Sequence, residues 1–182
     1  MKEIYLIRHG QTDYNKLGIV QGSGVDTSLN EVGQQQAQAF FNFYQHIPFE
    51  VVLTSALKRT HETVQPFVKK PINWHQHPEI NEMSWGIHEG KHRTDAMKAE
   101  YQLVTDEWAK GNFDARLSSG ESANDVHERC LVFKEHLLNR TESKILICAH
   151  GRLNRVLVCT LLNQGLEHME SYGHINTGLY RF

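Results

Sequence analysis

Ile4-Tyr5-Leu6-Ile7-Arg8-His9-Gly10 is the stretch that decides how this chain is read. Four apolar residues run directly into a charged pair and a glycine, which predicts a buried strand ending in a loop. Lys144-Ile145-Leu146-Ile147-Cys148-Ala149-His150-Gly151 repeats the pattern far downstream, and Leu153 to Leu162 continues as an apolar-faced helix. Strands that deliver polar residues at their carboxyl ends are the α/β arrangement, in which ligand sites gather at those ends.

The segments between them fit. Leu29, Val32, Ala37, Phe40, Phe41 and Tyr44 follow helical spacing, with Ser28 and Glu31 set as a capping box and an end near His46-Ile47-Pro48. Phe49 to Thr54 reads as a second buried strand. Ser55, Lys58 and Arg59 stand where it turns into a helix through Leu57, Thr60, Val64 and Phe67, which tolerates Pro66 late in its course. A third strand is expected around Ile72-Asn73-Trp74, helices at Arg93–Gly111 and Glu121–Asn139, and an edge strand at Ile175–Phe182. Alternating strands and helices predict an α/β fold in three layers, α/β/α, with a mostly parallel sheet covered on both faces. Residues 1–182 are read as one domain with a small helical insert at about 84–118, because no linker, repeat or low-complexity tract divides the chain.

Composition narrows the function. Lys and Arg total 19 against 21 Asp and Glu, a formal net charge of -2, so the chain lacks the polycationic surface of a sequence-independent nucleic-acid binder. No window approaches the ~20 apolar residues of a membrane span, and the apolar run after Met1 is too short for a signal-peptide core. A cytoplasmic protein is expected. Cys130, Cys148 and Cys159 are odd in number and lack C-x-x-C spacing, so they read as packed, reduced thiols. Histidine stands out at 12, because it titrates and accepts phosphoryl groups near neutral pH.

His9 and His150, each at a strand end, are placed to meet. Arg8 and Arg59 bring two guanidiniums toward the same point, and cations converging at strand and helix ends describe a phosphate pocket. One imidazole held neutral, with one nitrogen bonded to backbone, presents the other as a nucleophile toward phosphorus. Phosphoryl transfer needs positioning and charge neutralisation, which this set supplies without Mg²⁺. An acid for the leaving alcohol is still required, and Glu79, Glu82 and Glu89 occupy one glycine-containing loop.

At this point the chain resembles a known family. Leu6-Ile7-Arg8-His9-Gly10-Gln11-Thr12, followed by Asn15, looks like the signature of the histidine phosphatase superfamily, which has the phosphoglycerate mutase-like fold. The likeness continues through Gln21-Gly22, Leu29 to Ala37, Thr54 to Thr63, Asn81-Glu82, Gly120-Glu121-Ser122 and Ala149-His150-Gly151. The resemblance implies that His9 accepts the phosphoryl group, that Arg8, Arg59 and His150 bind it, and that Glu82 is the proton donor. Asn15, Gln21, Gly22 and Gly151 are then expected at the substrate phosphate. Arg152 departs from the pattern, since many relatives carry a small or apolar residue there. It is either a third phosphate arm or a surface salt bridge, and contact at the pocket rim is favoured.

The expected function is a metal-independent phosphomonoesterase of the small phosphatase branch, of histidine acid phosphatase type. It has no cofactor, a small phosphorylated metabolite as its partner, and neither nucleic acid nor membrane. Its rival is a mutase, in which the phosphohistidine returns its group to another hydroxyl. The modest insert and the end at Phe182 favour the phosphatase, because mutases of the family are longer, with a tail over the pocket. A non-catalytic phospho-ligand-binding relative would have lost a core residue, and none is lost. His75 and His77 form an H-x-H, but zinc normally takes three or four protein ligands, so a surface pair is expected. His61 reads as a helix-face residue, His88 and Trp85 as loop residues near the presumed acid, and Gly22-Ser23-Gly24 as a mobile surface turn.

Overall fold

A computed structural model describes residues 2–69 and 71–182. β1 (Glu3–Arg8) lies between β4 (Lys144–Ala149) and β5 (Leu179–Arg181). β2 (Val51–Thr54) pairs on the far side of β4 and carries β3 (Asn73–Gln76) at the edge, giving the order β3-β2-β4-β1-β5. Among the described residues only β5 runs antiparallel to its neighbour. The helices are α1 (Asp13–Leu17), α2 (Glu31–Tyr44), α3 (Lys58–Val68), α4 (Asp95–Ala109), α5 (Ala123–Leu138) and α6 (Gly151–Leu162).

Alternation of side chains along the strands builds two cores. Leu6, Leu53, Ile145 and Ile147 pack against Val126, Cys130 and Phe133 of α5 and Leu153, Val156 and Leu157 of α6. Tyr5, Ile7, Val52, Leu146 and Cys148 face the other way, onto Phe40 of α2 and Val64 and Phe67 of α3. The three-layer α/β/α expectation describes this sheet. The central strands are apolar on both faces because both are covered. The three cysteines are buried and unpaired, and burial pushes the Cys130 thiol up to about 12.

Several local readings change. Helix α2 is capped by Asn30, whose side chain accepts from Gly33 N, and not by Ser28. Both residues offer an oxygen, and the bond goes to the one whose extended backbone directly precedes the first turn. The last strand is three residues long. Short α1 goes unread in the sequence because a single turn carries no periodicity; Thr12 and Asn15 close its capping box. The 84–118 segment forms a 3-10 turn at Gly86–His88 and α4. No helix among the described residues is long and apolar enough to cross a membrane.

Register positions the site. Arg8 is paired with Ala149, and Thr54 with Cys148, so His9, His150 and Ser55 leave three neighbouring strands at one level. His9 N donates to Ala149 O at 3.0 Å, and Ser55 N to Cys148 O at 3.3 Å.

Candidate active site

A cavity of about 470 Å³ opens over these strand ends. Arg8, His9, Asn15, Gln21, Arg59, Glu82, Gly151 and Arg152 all line it. The rings of His9 and His150 lie 5.2 Å apart. His9 Nδ1 is 2.7 Å from Gly10 O, and a carbonyl only accepts, so Nδ1 carries the proton and Nε2 keeps its lone pair. Burial, then the charges of Arg59 and Arg8, hold the His9 pKa well below the ordinary histidine value. The imidazole is therefore neutral at pH 7. Gly10 is itself fixed, donating to Thr63 Oγ1 at 2.9 Å, and Asn176 Nδ2 donates to His9 O at 2.8 Å.

Arg59 is fully buried. It donates from Nη1 to Val25 O at 2.7 Å, from Nη2 to Gly22 O at 3.2 Å and from Nε to His150 Nδ1 at 3.3 Å. Gly22 thus serves through its carbonyl, as a holder of Arg59, and is not among the cavity-lining residues. The Gly22-Ser23-Gly24 turn is anchored on its other side by Glu89, which accepts from Gly24 N at 2.8 Å, so it is a strut and not a mobile turn. A Cβ on Gly22 would meet Glu89 Oε1 at 2.1 Å and Met83 O at 2.7 Å, which is why glycine stands there.

His150 sits below the cavity, fully buried and not part of its lining. Its Nδ1 accepts from Arg59, and its Nε2 lies 2.7 Å from Ser55 Oγ. Burial, then Arg59, lower its pKa well below the ordinary value, so it too is neutral. Ser55 also accepts from Leu57 N at 3.1 Å, and its carbonyl lies 2.7 Å from His61 Nε2, so His61 reaches the site's support through Ser55.

Arg8 donates from Nη1 to His174 O at 2.5 Å and lies 3.3 Å from His174 Nδ1. Its buried Nε has no hydrogen-bond partner among the described residues. Gly151 admits it, since a Cβ there would come within 3.3 Å of Arg8 Nε.

Of the three loop carboxylates only Glu82 lines the cavity. Its Oε1 accepts from Met83 N and Leu153 N, both at 2.9 Å, and its Oε2 from Arg152 N at 3.2 Å. The amides that open α6 therefore hold a protein carboxylate. The loop is pinned from α5, where Arg129 donates to Glu79 O at 2.6 Å and Asn81 O at 2.8 Å while paired with Glu121 at 2.9 Å. Glu79 turns away toward His77, and Glu89 binds the Gly24 and Trp85 amides.

Asn15 keeps its Oδ1 for Thr12 N, at 3.1 Å. Gln21 joins Thr12 Oγ1 at 2.8 Å to Thr27 Oγ1 at 2.6 Å. Arg152 is 8% exposed and is not a surface ion pair: it bonds Glu170 and the Tyr101 hydroxyl and lies over the Tyr101 and Trp108 rings. His88 and Trp85 both line the cavity, His88 beside Glu100 at 3.0 Å. His75 is exposed, whereas His77 is half-buried against Phe133. Among the described residues no group of three or more His, Cys, Asp or Glu is placed to hold a metal ion. Sequence reasoning missed His174, Arg155, Glu170 and Tyr101. They reach the cavity from three segments, Tyr101 on α4, Arg155 on α6, and Glu170 and His174 in the stretch after α6, and no local pattern marks any of them.

Several known proteins are similar to this chain. An adenosylcobalamin/alpha-ribazole phosphatase of Salmonella typhimurium is 29% identical over 161 residues, covering 87% of this chain and 79% of its own length. A phosphoglycerate mutase of Schizosaccharomyces pombe is 28% identical over 169 residues, covering 87% of this chain and 78% of its own. The crystal structure of the alpha-ribazole phosphatase from Shigella flexneri matches with a TM-score of 0.85 at 27% identity, covering 98% of this chain and 89% of that one. The family model for the histidine phosphatase superfamily, branch 1, matches residues 4–182. With a phosphoglycerate mutase-like α/β sheet and relatives that include phosphatases, the chain belongs to the histidine phosphatase superfamily, branch 1.

Proposed function

We propose that this protein hydrolyses a small phosphomonoester through a phosphohistidine formed on His9, without a metal ion. The observation that carries the reading is the His9–Gly10 bond, which leaves a neutral imidazole with a free Nε2 lone pair beside two guanidiniums. His9 Nε2 attacks phosphorus, and the bond from phosphorus to the ester oxygen breaks. Glu82, on the cavity wall, gives a proton to the departing alcohol. Arg8 and Arg59 hold the phosphoryl oxygens as their charge grows. In the second step Glu82 takes a proton from water, which attacks the phosphohistidine and releases inorganic phosphate. Asn15 adds a donor at the phosphoryl end and Gly151 lets Arg8 approach. His150 serves by orienting Arg59. The 84–118 insert forms the wall that meets the alcohol portion of the substrate.

The test is phosphate release from p-nitrophenyl phosphate and a panel of phosphorylated metabolites in buffer containing EDTA, with His9→Ala in parallel. Release by the parent chain that His9→Ala abolishes, together with an acid-labile phosphoryl group trapped on His9, is the expected result. Release that survives His9→Ala, or that stops in EDTA, overturns the reading. Interconversion of phosphoglycerates faster than hydrolysis replaces it with the mutase.

A further inference from the structure

Away from His9 the cavity is lined by residues of α4 and α6, and its charges no longer balance. Arg152 and Arg155, one turn apart on α6, share a single carboxylate: each bonds one oxygen of Glu170. The bridge therefore carries one net positive charge. Arg155 Nε is buried and has no hydrogen-bond partner among the described residues. Burial and the charge of Arg152 both lower the Arg155 pKa, the mark of two guanidiniums crowded together with too little anion between them. Arg93, an exposed residue of the cavity lining, has no ion pair among the described residues, whereas Lys98 is neutralised by Asp95 at 2.9 Å.

The geometry of the bridge indicates which anion would complete it. The plane of Arg152 is fixed by the Tyr101 and Trp108 rings and by the Tyr101 hydroxyl, so its fork is pre-set. What the two forks hold now is a carboxylate, supplied by a side chain that is 52% exposed to solvent. A second carboxylate that joins Glu170 would restore neutrality and supply the acceptor that Arg155 Nε lacks.

We propose that the Arg152–Glu170–Arg155 bridge is a carboxylate-binding subsite, and that the substrate is a phosphomonoester whose alcohol portion bears a carboxylate. This rests on the phosphatase reading above, since it places the phosphoryl group at His9 and the carboxylate toward α6.

The test compares kcat/KM for 3-phosphoglycerate and glycerol 3-phosphate, which differ by a carboxylate in place of a hydroxymethyl group, and for O-phosphoserine and phosphoethanolamine. Charge-assisted bonds of this kind predict a preference of roughly tenfold or more for the carboxylated member of each pair. Arg155→Met should bring both ratios to within about threefold of one, and Arg155→Lys should restore part of them. A ratio is unaffected by the fraction of enzyme that folds, so a destabilised variant still reports. A parent ratio near one, or a ratio unmoved by Arg155→Met, would overturn the subsite. Those outcomes leave the phosphatase standing if p-nitrophenyl phosphate is still hydrolysed in a His9-dependent way. Loss of that hydrolysis would instead bring down both.

Discussion

Arg59 donates from Nε to His150 Nδ1 across 3.3 Å, joining the first turn after β2 to the loop after β4. That contact settles the tautomer of His150: Nδ1 accepts, so the ring proton lies on Nε2 and goes to Ser55 Oγ at 2.7 Å. It also fixes how Arg59 is used. Three of its five N–H groups are held by Val25 O, Gly22 O and His150, leaving two for the cavity it lines.

Arg59→Lys keeps the charge and loses the fork. We expect kcat/KM to fall by about 100-fold or more, because one ammonium cannot hold three protein acceptors and a phosphoryl group together. The two abandoned carbonyls should also lower stability by about 2–4 kcal/mol, measurable by denaturant titration. Activity within threefold of the parent would remove Arg59 from the mechanism.

Ser55→Ala leaves His150 Nε2–H without its partner in a buried setting. An orphaned donor of this kind costs about 1–3 kcal/mol. The expected signature is a fall in kcat of about tenfold with KM changed less, and Ser55→Thr should recover part of it. A simple loss of folded protein without a change in turnover per active site would contradict the positioning role.

Acid should destabilise the protein early. His9 and His150 both have folded pKa values below the ordinary one, so below pH ~6.5 the unfolded chain takes up protons that the folded chain refuses. Their contribution is complete above that value and is lost as pH falls, by up to about 1.4 kcal/mol per pH unit for each ring. Thermal melts from pH 7.5 to 5 should show a declining Tm, and His9→Gln should flatten the decline. An unchanged slope in that variant would show that other groups control it.

Gly22→Ala places a methyl group against Glu89 and the Met83 carbonyl. Overpacking of this order costs about 1–3 kcal/mol, and at ~2–4 °C per kcal/mol for a chain of this size the melting point should drop by roughly 2–12 °C. Because Gly22 O also supports Arg59, turnover should fall with it. A variant as stable as the parent would show that the loop yields.

Arg129→Ala removes the clamp on the Glu79 and Asn81 carbonyls that holds the Glu82 loop. The acid then loses its placement, and kcat should fall by roughly 10–100-fold while Glu82 itself is intact. Single-turnover kinetics with a poor leaving group should show the larger effect, since only that step depends on proton donation. An equal effect on good and poor leaving groups would place the defect elsewhere.

Much of this was legible in the chain. A strand running into His-Gly, met twice, was enough to predict where β1 and β4 end, because an apolar run closed by a charged pair and a glycine has few other conformations. Arg59 was found the same way, from its position just past a strand end. Glu82 was separated from Glu79 and Glu89 by resemblance, and the structure separates them physically: Arg129 pins the loop, and the α6 amides hold only the Glu82 carboxylate on the cavity side. The cap of α2 falls on Asn30 and not on Ser28, a difference that arises because spacing cannot tell which of two neighbouring oxygens faces the open amide.

By itself, then, the sequence determined the α/β layering and the ends of the strands, and it set Arg8, His9, Arg59 and His150 at or just past those ends, because periodicity and punctuation act over a few residues. Only the tertiary structure decided what those residues face. His174 reaches Arg8 from a separation of 166 residues, and Glu170 couples Arg152 to Arg155 and Tyr101 within one cavity wall. Such contacts follow from strand register and from the path of the chain between elements, which put distant charges within hydrogen-bond reach and leave no trace in local spacing.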